Sequence, residues 1–159
     1  MQLIKNQQIS DNEWQHDDET SLLPEGKTTV PLSRWQAERE ALIARGGIGL
    51  RLVATDTLDT LKDDLQYFEC IAIDFEKFND GRGFSLARLL RDRYGYKGEI
   101  RAIGTFLRDQ LYYMHRCGFN AFEFSAQQDL QDALRTFTEF TVCAQPDVHH
   151  ATAQAGPWR

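Results

Sequence analysis

Four short apolar runs, each followed by a stretch with helical periodicity, constrain the fold more than any other feature of this sequence. The runs lie at residues 49–53, 70–75, 100–104 and 121–124 and contain many β-branched or aromatic side chains. The links between strands and helices are short, so the strands are predicted to be parallel and joined by right-handed crossovers. The sequence therefore predicts an α/β fold with a four-stranded parallel sheet built from consecutive βα units.

Each predicted strand carries one charged residue among apolar neighbours, and the sign of the charge alternates along the chain. The four residues are Arg51, Asp74, Arg101 and Glu123. Because an unpaired charge inside a sheet is costly, they are predicted to form an internal charge network on one face. A half-barrel with consecutive strand order places opposite charges side by side, whereas the alternative, a doubly wound flavodoxin-like sheet, separates some of them. A position in water at the strand ends is a further interpretation for one or two of these charges.

The 159 residues suffice for a single α/β domain, which is assigned to residues 31–143. Residues 1–30 hold two lysines and six acidic residues and are predicted to be an irregular segment with a short hairpin around Gln2–Gln15. Residues 144–159 have no periodicity and are predicted to be a mobile C-terminal tail. Since helices would cover one sheet face only, the N-terminal segment or a second subunit must cover the other, and a homodimer is expected.

Charge and composition exclude several classes of protein. The net charge of −6 argues against a nucleic-acid-binding domain, which is typically basic. No run approaches the roughly 20 apolar residues of a membrane span, and the first residues lack the apolar run of a signal peptide. Cys70, Cys117 and Cys143 are widely spaced and form no CxxC pair, as in cytoplasmic proteins with reduced thiols. We therefore expect a cytoplasmic protein without nucleic-acid or membrane partners.

Basic residues concentrate in residues 82–116, where eight arginines and lysines stand against three acidic residues. Seven of the eight are arginine, the side chain best suited to planar oxyanions and carboxylates. One interpretation is a solvated helix face with internal ion pairs. The other is an anion site or a docking patch for an acidic partner.

The longest strand-to-helix loop, at residues 75–85, holds the candidate ligand site. Ligands bind at the carboxyl ends of parallel strands, and the N-terminus of the following helix favours anions. Glycines on both sides of an arginine allow close approach of the backbone or a sharp turn. The alternative is that Asp80 and Ser85 cap the helix and that the glycines serve the turn. The predicted anion-binding residues are Asp80, Gly81, Arg82, Gly83, Ser85 and Arg108, with Asp74 at the same rim.

Motifs of other chemistries are missing from the sequence. It has no GxGxxG after a strand, no P-loop and no GxSxG. The four histidines do not combine with the cysteines at zinc-ligand spacing, and His115 and Cys117 are two positions apart on a predicted helix, where they face different directions. No cofactor and no metal site are predicted, and the catalytic residues are not assigned.

Two runs in the middle of the chain resemble a known family. The first is FEKFNDGRGFSLARLLR at residues 75–91, and the second is GEIRAIG at residues 98–104, followed by LRDQL at 107–111 and RCGF at 116–119. Together they resemble an uncharacterised bacterial family, number 934 among the domains of unknown function, over nearly the whole chain. The sequence departs from the family pattern at Glu76, where proline is expected. The resemblance carries no catalytic residue onto this sequence.

The resemblance also implies a functional setting. Members of that family are encoded beside the assimilatory sulfite reductase and are labelled oxidoreductases of sulfite reduction. We therefore expect an accessory protein of assimilatory sulfite reduction that docks on or assists components of the sulfite reductase. The alternative is a small oxyanion-binding enzyme that acts on sulfite, sulfate or a phosphate ester. No cofactor fingerprint supports an independent nicotinamide or flavin enzyme.

Overall fold

The computed structural model describes residues 2–20, 22–77, 80–125 and 129–139. The predicted tail at residues 144–159 and Cys143 lie outside these residues. Within the described part of the chain, no helix is long and apolar enough to span a bilayer.

In the described residues the sheet has eight strands, and the prediction of four is wrong. The additional strands all precede residue 32, in a segment predicted to be irregular with a short hairpin around Gln2–Gln15. The antiparallel pair Gln2–Lys5 and Gln8–Asp11 lies within that hairpin, whereas Trp14–His16 and Lys27–Pro31 were not predicted. Strands β3 to β8 are parallel and lie in consecutive order, so the doubly wound alternative is also wrong. Strand β1 joins β8 and β2 in antiparallel pairs, which gives the order β2-β1-β8-β7-β6-β5-β4-β3. The strands are β1 (Gln2–Lys5), β2 (Gln8–Asp11), β3 (Trp14–His16), β4 (Lys27–Pro31), β5 (Ile48–Val53), β6 (Cys70–Phe75), β7 (Glu99–Gly104) and β8 (Ala121–Phe122).

In the described residues, three α-helices and two short 3-10 turns lie between strands, and a fourth helix follows β8. They are α1 (Leu32–Arg45), α2 (Arg82–Asp92), α3 (Leu111–Cys117) and α4 (Leu130–Glu139), with the turns at Leu65–Tyr67 and Arg108–Gln110. The spacing of Leu58, Leu61, Leu65 and Phe68 predicts a helix before β6, but this segment forms turns instead. Its many Asp and Thr residues favour local bonds to the backbone; Asp56, for example, accepts a hydrogen bond from the Val53 amide. All four apolar side chains are nevertheless buried, so their spacing indicates burial in the core and not a helix.

The sheet curls into a half-barrel. Strands β2 and β3 form opposite edges of the sheet, yet only Asn12 and Glu13 separate them in the chain. Such a link spans about 10 Å at most, so the two edges must lie close together. His16 on β3 also lies 3.0 Å from Glu123, just after β8. In a flat sheet these strands would be about 24 Å apart, five strand spacings.

The two faces of the curled sheet differ in chemistry. The outer face carries aliphatic side chains such as Leu50, Ile71 and Ile100, which pack with the helices in the main hydrophobic core. The inner face combines polar and charged side chains with the small residues Gly49 and Ala72. A Cβ atom on Gly49 would lie 2.7 Å from the Cys70 carbonyl oxygen and 3.0 Å from the Trp14 ring, so only glycine fits there. The inner face therefore holds the polar and charged side chains that a functional site requires.

Candidate functional site at the carboxyl ends of the strands

In the predicted anion loop, Arg82 turns back onto its neighbour Asp80. Its Nε and Nη2 atoms donate to the two carboxylate oxygens of Asp80 at 3.0 and 2.9 Å, and its backbone amide donates to the same group. These hydrogen bonds hold the pKa of Asp80 below its ordinary value. The Arg82 charge is therefore already met by a carboxylate at the start of α2.

The other loop residues have packing or surface positions. Gly83 lies against the Phe75 ring, where a Cβ atom would come within 2.4 Å of a ring carbon, while Gly81 has open space around it. Ser85 is exposed on α2. Arg108 donates to the Asp132 carbonyl oxygen at 3.0 Å and pairs with its carboxylate, also at 3.0 Å, at the start of α4. Among the described contacts, Arg82 thus binds at the start of α2, whereas Arg108 binds at the start of α4.

A second group of charged residues lies inside the curled sheet, centred on Arg101. This side chain is only 1% exposed and donates to Glu99 at 2.7 Å and to Glu123 at 2.9 Å. It also donates to Asn12 at 2.6 Å, in the link between the two sheet edges, and Lys5 pairs with Glu99 at 2.9 Å. A buried arginine requires such partners, because an unpaired buried charge is strongly destabilising.

His16 extends this network to the carboxyl ends of the strands. Its Nε2 atom lies 3.0 Å from a Glu123 carboxylate oxygen, and its Nδ1 atom lies 2.6 Å from the Thr29 hydroxyl. A carboxylate can only accept, so Nε2–H is the donor to Glu123. Burial alone would raise the pKa of Glu123, but the hydrogen bonds from His16 and Arg101 outweigh it and the pKa is lowered. Glu123 is therefore held in the ionised form.

Asp74, near the end of β6, is a carboxyl group in a different environment. It is half-buried on the inner face, and no residue in the described part of the chain donates a hydrogen bond to it. Burial raises the pKa of Asp74 above its ordinary value, and the charge of Arg51 opposes this shift without cancelling it. Gly104 in the neighbouring strand has φ +88°, and a Cβ atom there would lie 2.5 Å from an Asp74 oxygen. The glycine therefore leaves room for the carboxyl group.

Arg51, on β5, completes this group. It donates to the Asp17 carbonyl oxygen at 3.1 Å and reaches the Glu19 carboxylate at 3.4 Å. Asp17 is fully buried and pairs with Arg34 from the first turn of α1, which fixes the turn that follows β3. We call His16, Arg51, Asp74 and Glu123 the carboxyl-end site.

Of the four strand charges singled out in the sequence, Arg101 and Glu123 form an ion pair. Arg51 and Asp74 share the inner face without a described hydrogen bond to each other. Sequence reasoning missed the role of His16, because β3 has three residues and no measurable periodicity. The signal that could have revealed this role is the spacing of Trp14 and His16, which are two positions apart and therefore lie on the same side of an extended segment.

The chemistry open to this arrangement is acid–base chemistry and anion binding. Among the described residues, no three His, Cys, Asp or Glu side chains are grouped as metal ligands. Burial raises the pKa of the Cys70 thiol far above its ordinary value, so it stays protonated and is a poor nucleophile. A carboxyl group with a raised pKa and a carboxylate held ionised are, by contrast, the usual elements of proton transfer.

A comparison with protein-family models matches residues 49–154 to the family described as "Bacterial protein of unknown function (DUF934)". The chain belongs to this family. The DUF934 match confirms the resemblance on residues 75–91 and 98–119, and it includes Arg51, Asp74, Arg101 and Glu123. His16 and Asp17 precede the matched DUF934 region. No curated protein and no solved structure shows significant similarity to the chain.

Proposed function

We propose that the protein is a small enzyme that uses Asp74 as an acid–base group at the carboxyl-end site. The observation that carries this proposal is the contrast between two carboxyl groups on one sheet face. Burial raises the pKa of Asp74, whereas His16 and Arg101 help to keep the pKa of Glu123 low in spite of burial. Two carboxyl groups with pKa values moved apart supply an acid or base and a fixed negative charge.

The position of Asp74 suits this role. Parallel strands collect functional side chains at their carboxyl ends, where loops leave room for a ligand. Asp74 has no described hydrogen-bond donor that would lock its carboxyl group to the protein, and Gly104 leaves space beside it. The hydrogen-bonded network of His16, Glu123 and Arg101 lies on the same face of the sheet. The reaction class is proton transfer to or from a small polar substrate.

The substrates to test first come from the family resemblance, which implies a setting in sulfite reduction. Sulfite, sulfate and phosphate esters form that set. The oxyanion site predicted on Asp80, Gly81, Arg82, Gly83, Ser85 and Arg108 stays a prediction, but the pairing of Arg82 with Asp80 favours the carboxyl-end site as the place to look.

The decisive experiment measures the pKa of Asp74 by carbon NMR of the aspartate carboxyl groups, with Asp74→Asn to assign the signal. Asp74 is expected to titrate above the value of about 3.9 that is usual for aspartate. Asp74→Asn should also abolish any turnover found with the substrate set. An Asp74 that titrates at or below about 3.9 would contradict the proposal.

A second candidate function is the accessory role, in which the protein docks on a component of the sulfite reductase. Two exposed apolar side chains favour it, Leu89 on α2 and Tyr113 on α3, at 40% and 52% exposure. Phe84 on α2 contacts the Tyr113 ring, and Arg88 lies on the same helix. Other basic residues of 82–116, among them Arg91 and Arg101, serve internal contacts, which weakens the case for an extended basic patch.

This second function is tested by mixing the protein with the reductase at low and moderate salt and measuring complex formation by light scattering. Docking should be lost in the double variant Leu89→Ser, Tyr113→Ser and retained in Leu107→Ser, which removes another exposed apolar side chain. The same measurement on the protein alone decides whether it forms the predicted homodimer. A monomer that binds no reductase component at either salt concentration would exclude the accessory role.

A further inference from the structure

Arg51 is a cation whose guanidinium is only partly engaged by the protein. Its side chain is 19% exposed, and in the described residues it makes one firm contact, to the Asp17 carbonyl oxygen at 3.1 Å. The second contact, to the Glu19 carboxylate, is long at 3.4 Å. An arginine has further N–H groups in a planar fork that fits carboxylate, sulfate or phosphate oxygens.

The Glu19 side chain is loosely held, whereas the turn that carries it is firmly held. Asp17 accepts a hydrogen bond from the Glu19 amide at 3.0 Å and is itself bound by Arg34, which also donates to the Thr20 carbonyl oxygen. The Glu19 side chain is 66% exposed, and its ion pair with Arg51 is its one described side-chain contact. Rotation of this side chain therefore breaks one long, solvent-exposed ion pair and leaves the turn in place.

The backbone of Glu19 adopts φ +64°, in the left-handed region that non-glycine residues rarely occupy. This conformation points to a residue placed for its side chain, since a glycine would fit the turn without strain. Glu19 also lines a surface pocket of about 500 Å³ with Thr20, Pro31, Ser33 and Arg34. The Glu19 side chain therefore has free volume into which it can turn away from Arg51.

We propose that Arg51 binds the anionic group of the substrate and that Glu19 occupies Arg51 in the ligand-free protein until this anion displaces it. The inference rests on the proposed function and names the substrate class of that site: a small molecule with a carboxylate, sulfonate, sulfate or phosphate group. Arg51 and Asp74 lie on adjacent strands of the same face, so a substrate anchored at Arg51 presents its reacting group to Asp74. Glu19 is then an internal competitor that excludes uncharged molecules and weak anions.

The test is an NMR titration of the Arg51 side-chain N–H signal in the full chain with inorganic phosphate and with sulfate, at constant ionic strength. Glu19→Gln should bind each anion about three- to fivefold more tightly than the unmodified protein, because the competing carboxylate is gone. Glu13→Gln is the matched control. Glu13 is equally exposed at 67% and forms a similarly long ion pair, with Lys27 at 3.6 Å, so this variant should bind the anions as the unmodified protein does.

The Arg51 variants lack this side-chain signal and are followed instead by the backbone amide signals of Asp17 and Glu19, whose groups contact Arg51. Arg51→Gln should lose anion binding, and Arg51→Lys should retain a weaker form of it, which decides the matter if Arg51→Gln does not fold. Equal affinities in Glu19→Gln and Glu13→Gln, or anion binding that survives in folded Arg51→Gln, would overturn the inference. If neither anion binds while Asp74 titrates above about 3.9, this inference fails and the proposed function stands. If anions bind through Arg51 while Asp74 titrates as an ordinary aspartate, the anion site stands and the acid–base role fails.

Discussion

At the scale of single residues, the environment of each carboxyl group decides what it can do. Glu123 and Asp74 lie near the carboxyl ends of the strands, but of the two only Glu123 has described side chains, His16 and Arg101, that donate hydrogen bonds to it. The sequence pattern of one charge per strand identified both groups. It could not separate their roles, because His16 and Glu123 are 107 positions apart and meet only when the sheet curls.

The raised pKa of Asp74 has a consequence for stability. A carboxyl group whose pKa is higher in the folded than in the unfolded state destabilises the fold when it is ionised. The penalty is complete above the folded pKa and disappears as the pH falls through that value towards about 3.9, the unfolded pKa. Asp74→Asn should therefore be more stable than the unmodified protein at pH 7, by roughly 0.5–1 kcal/mol, a gain common when a functional polar residue is removed.

Urea denaturation at several pH values measures this effect. The difference between Asp74→Asn and the unmodified protein should shrink towards zero at acid pH, while Asp92→Asn changes the stability little at any pH. A gain that is independent of pH, or a loss of stability at pH 7, would show that the Asp74 carboxylate is not disfavoured in the fold.

At the scale of elements, the sequence predicted β5 to β8 and their consecutive order, because each is a compact apolar run followed by a helix or turn. Among β1 to β4 it predicted only a hairpin around Gln2–Gln15, which contains the antiparallel pair of β1 and β2, and it missed β3 and β4. Strands such as β3 depend on neighbours distant in sequence, and local pattern does not report that. The prediction of a helix from Leu58 to Phe68 was wrong for a different reason. The buried apolar side chains of this segment have the spacing of a helix face, although the segment forms turns.

Gly49 on β5 tests how tightly the elements approach each other inside the sheet. A Cβ atom there would overlap the Cys70 backbone oxygen at 2.7 Å, and a backbone atom in a central strand cannot move aside freely. Gly49→Ala should cost about 1–3 kcal/mol of stability. Gly81→Ala is the control, since Gly81 has open space and an ordinary negative φ, and it should be neutral or slightly stabilising. Thermal unfolding of both variants measures this difference in stability, and equal midpoints would show that Gly49 is not tightly packed.

At the scale of the whole molecule, the buried Arg101 connects parts of the sheet that the backbone leaves apart. It bonds to Glu123 after β8 and to Asn12 in the link from β2 to β3, and so it ties β7 to the link that joins the two edges. The charged side chains of the inner face thus both stabilise the curled sheet and form the candidate site. These two roles explain why so many charged side chains are tolerated there.

Arg101→Met retains most of the side-chain volume and removes the charge. Glu99 keeps Lys5 and Glu123 keeps His16, yet both carboxylates lose their buried counter-charge, so we expect a loss of about 3 kcal/mol in the free energy of unfolding. Arg88→Met removes a partly exposed arginine that pairs with Asp92 at 3.7 Å and should change the stability by less than about 0.5 kcal/mol. Similar urea midpoints for the two variants would show that Arg101 does not stabilise the curled sheet.

The pairing of β1 with β8 also dictates an order of events during synthesis. Ile4 aligns with Phe122 and Lys5 with Ala121, so β1 leaves the ribosome long before β8, the last described strand, with which it pairs. Until then the hairpin of β1 and β2 has no sheet to join, and the apolar side chains of Leu3 and Ile4 stay in water. Such a high contact order slows folding and lengthens the time during which nascent chains can associate through an unpaired edge. Nascent chains that end before residue 121 should consequently be the aggregation-prone and chaperone-dependent stage in the biosynthesis of this protein.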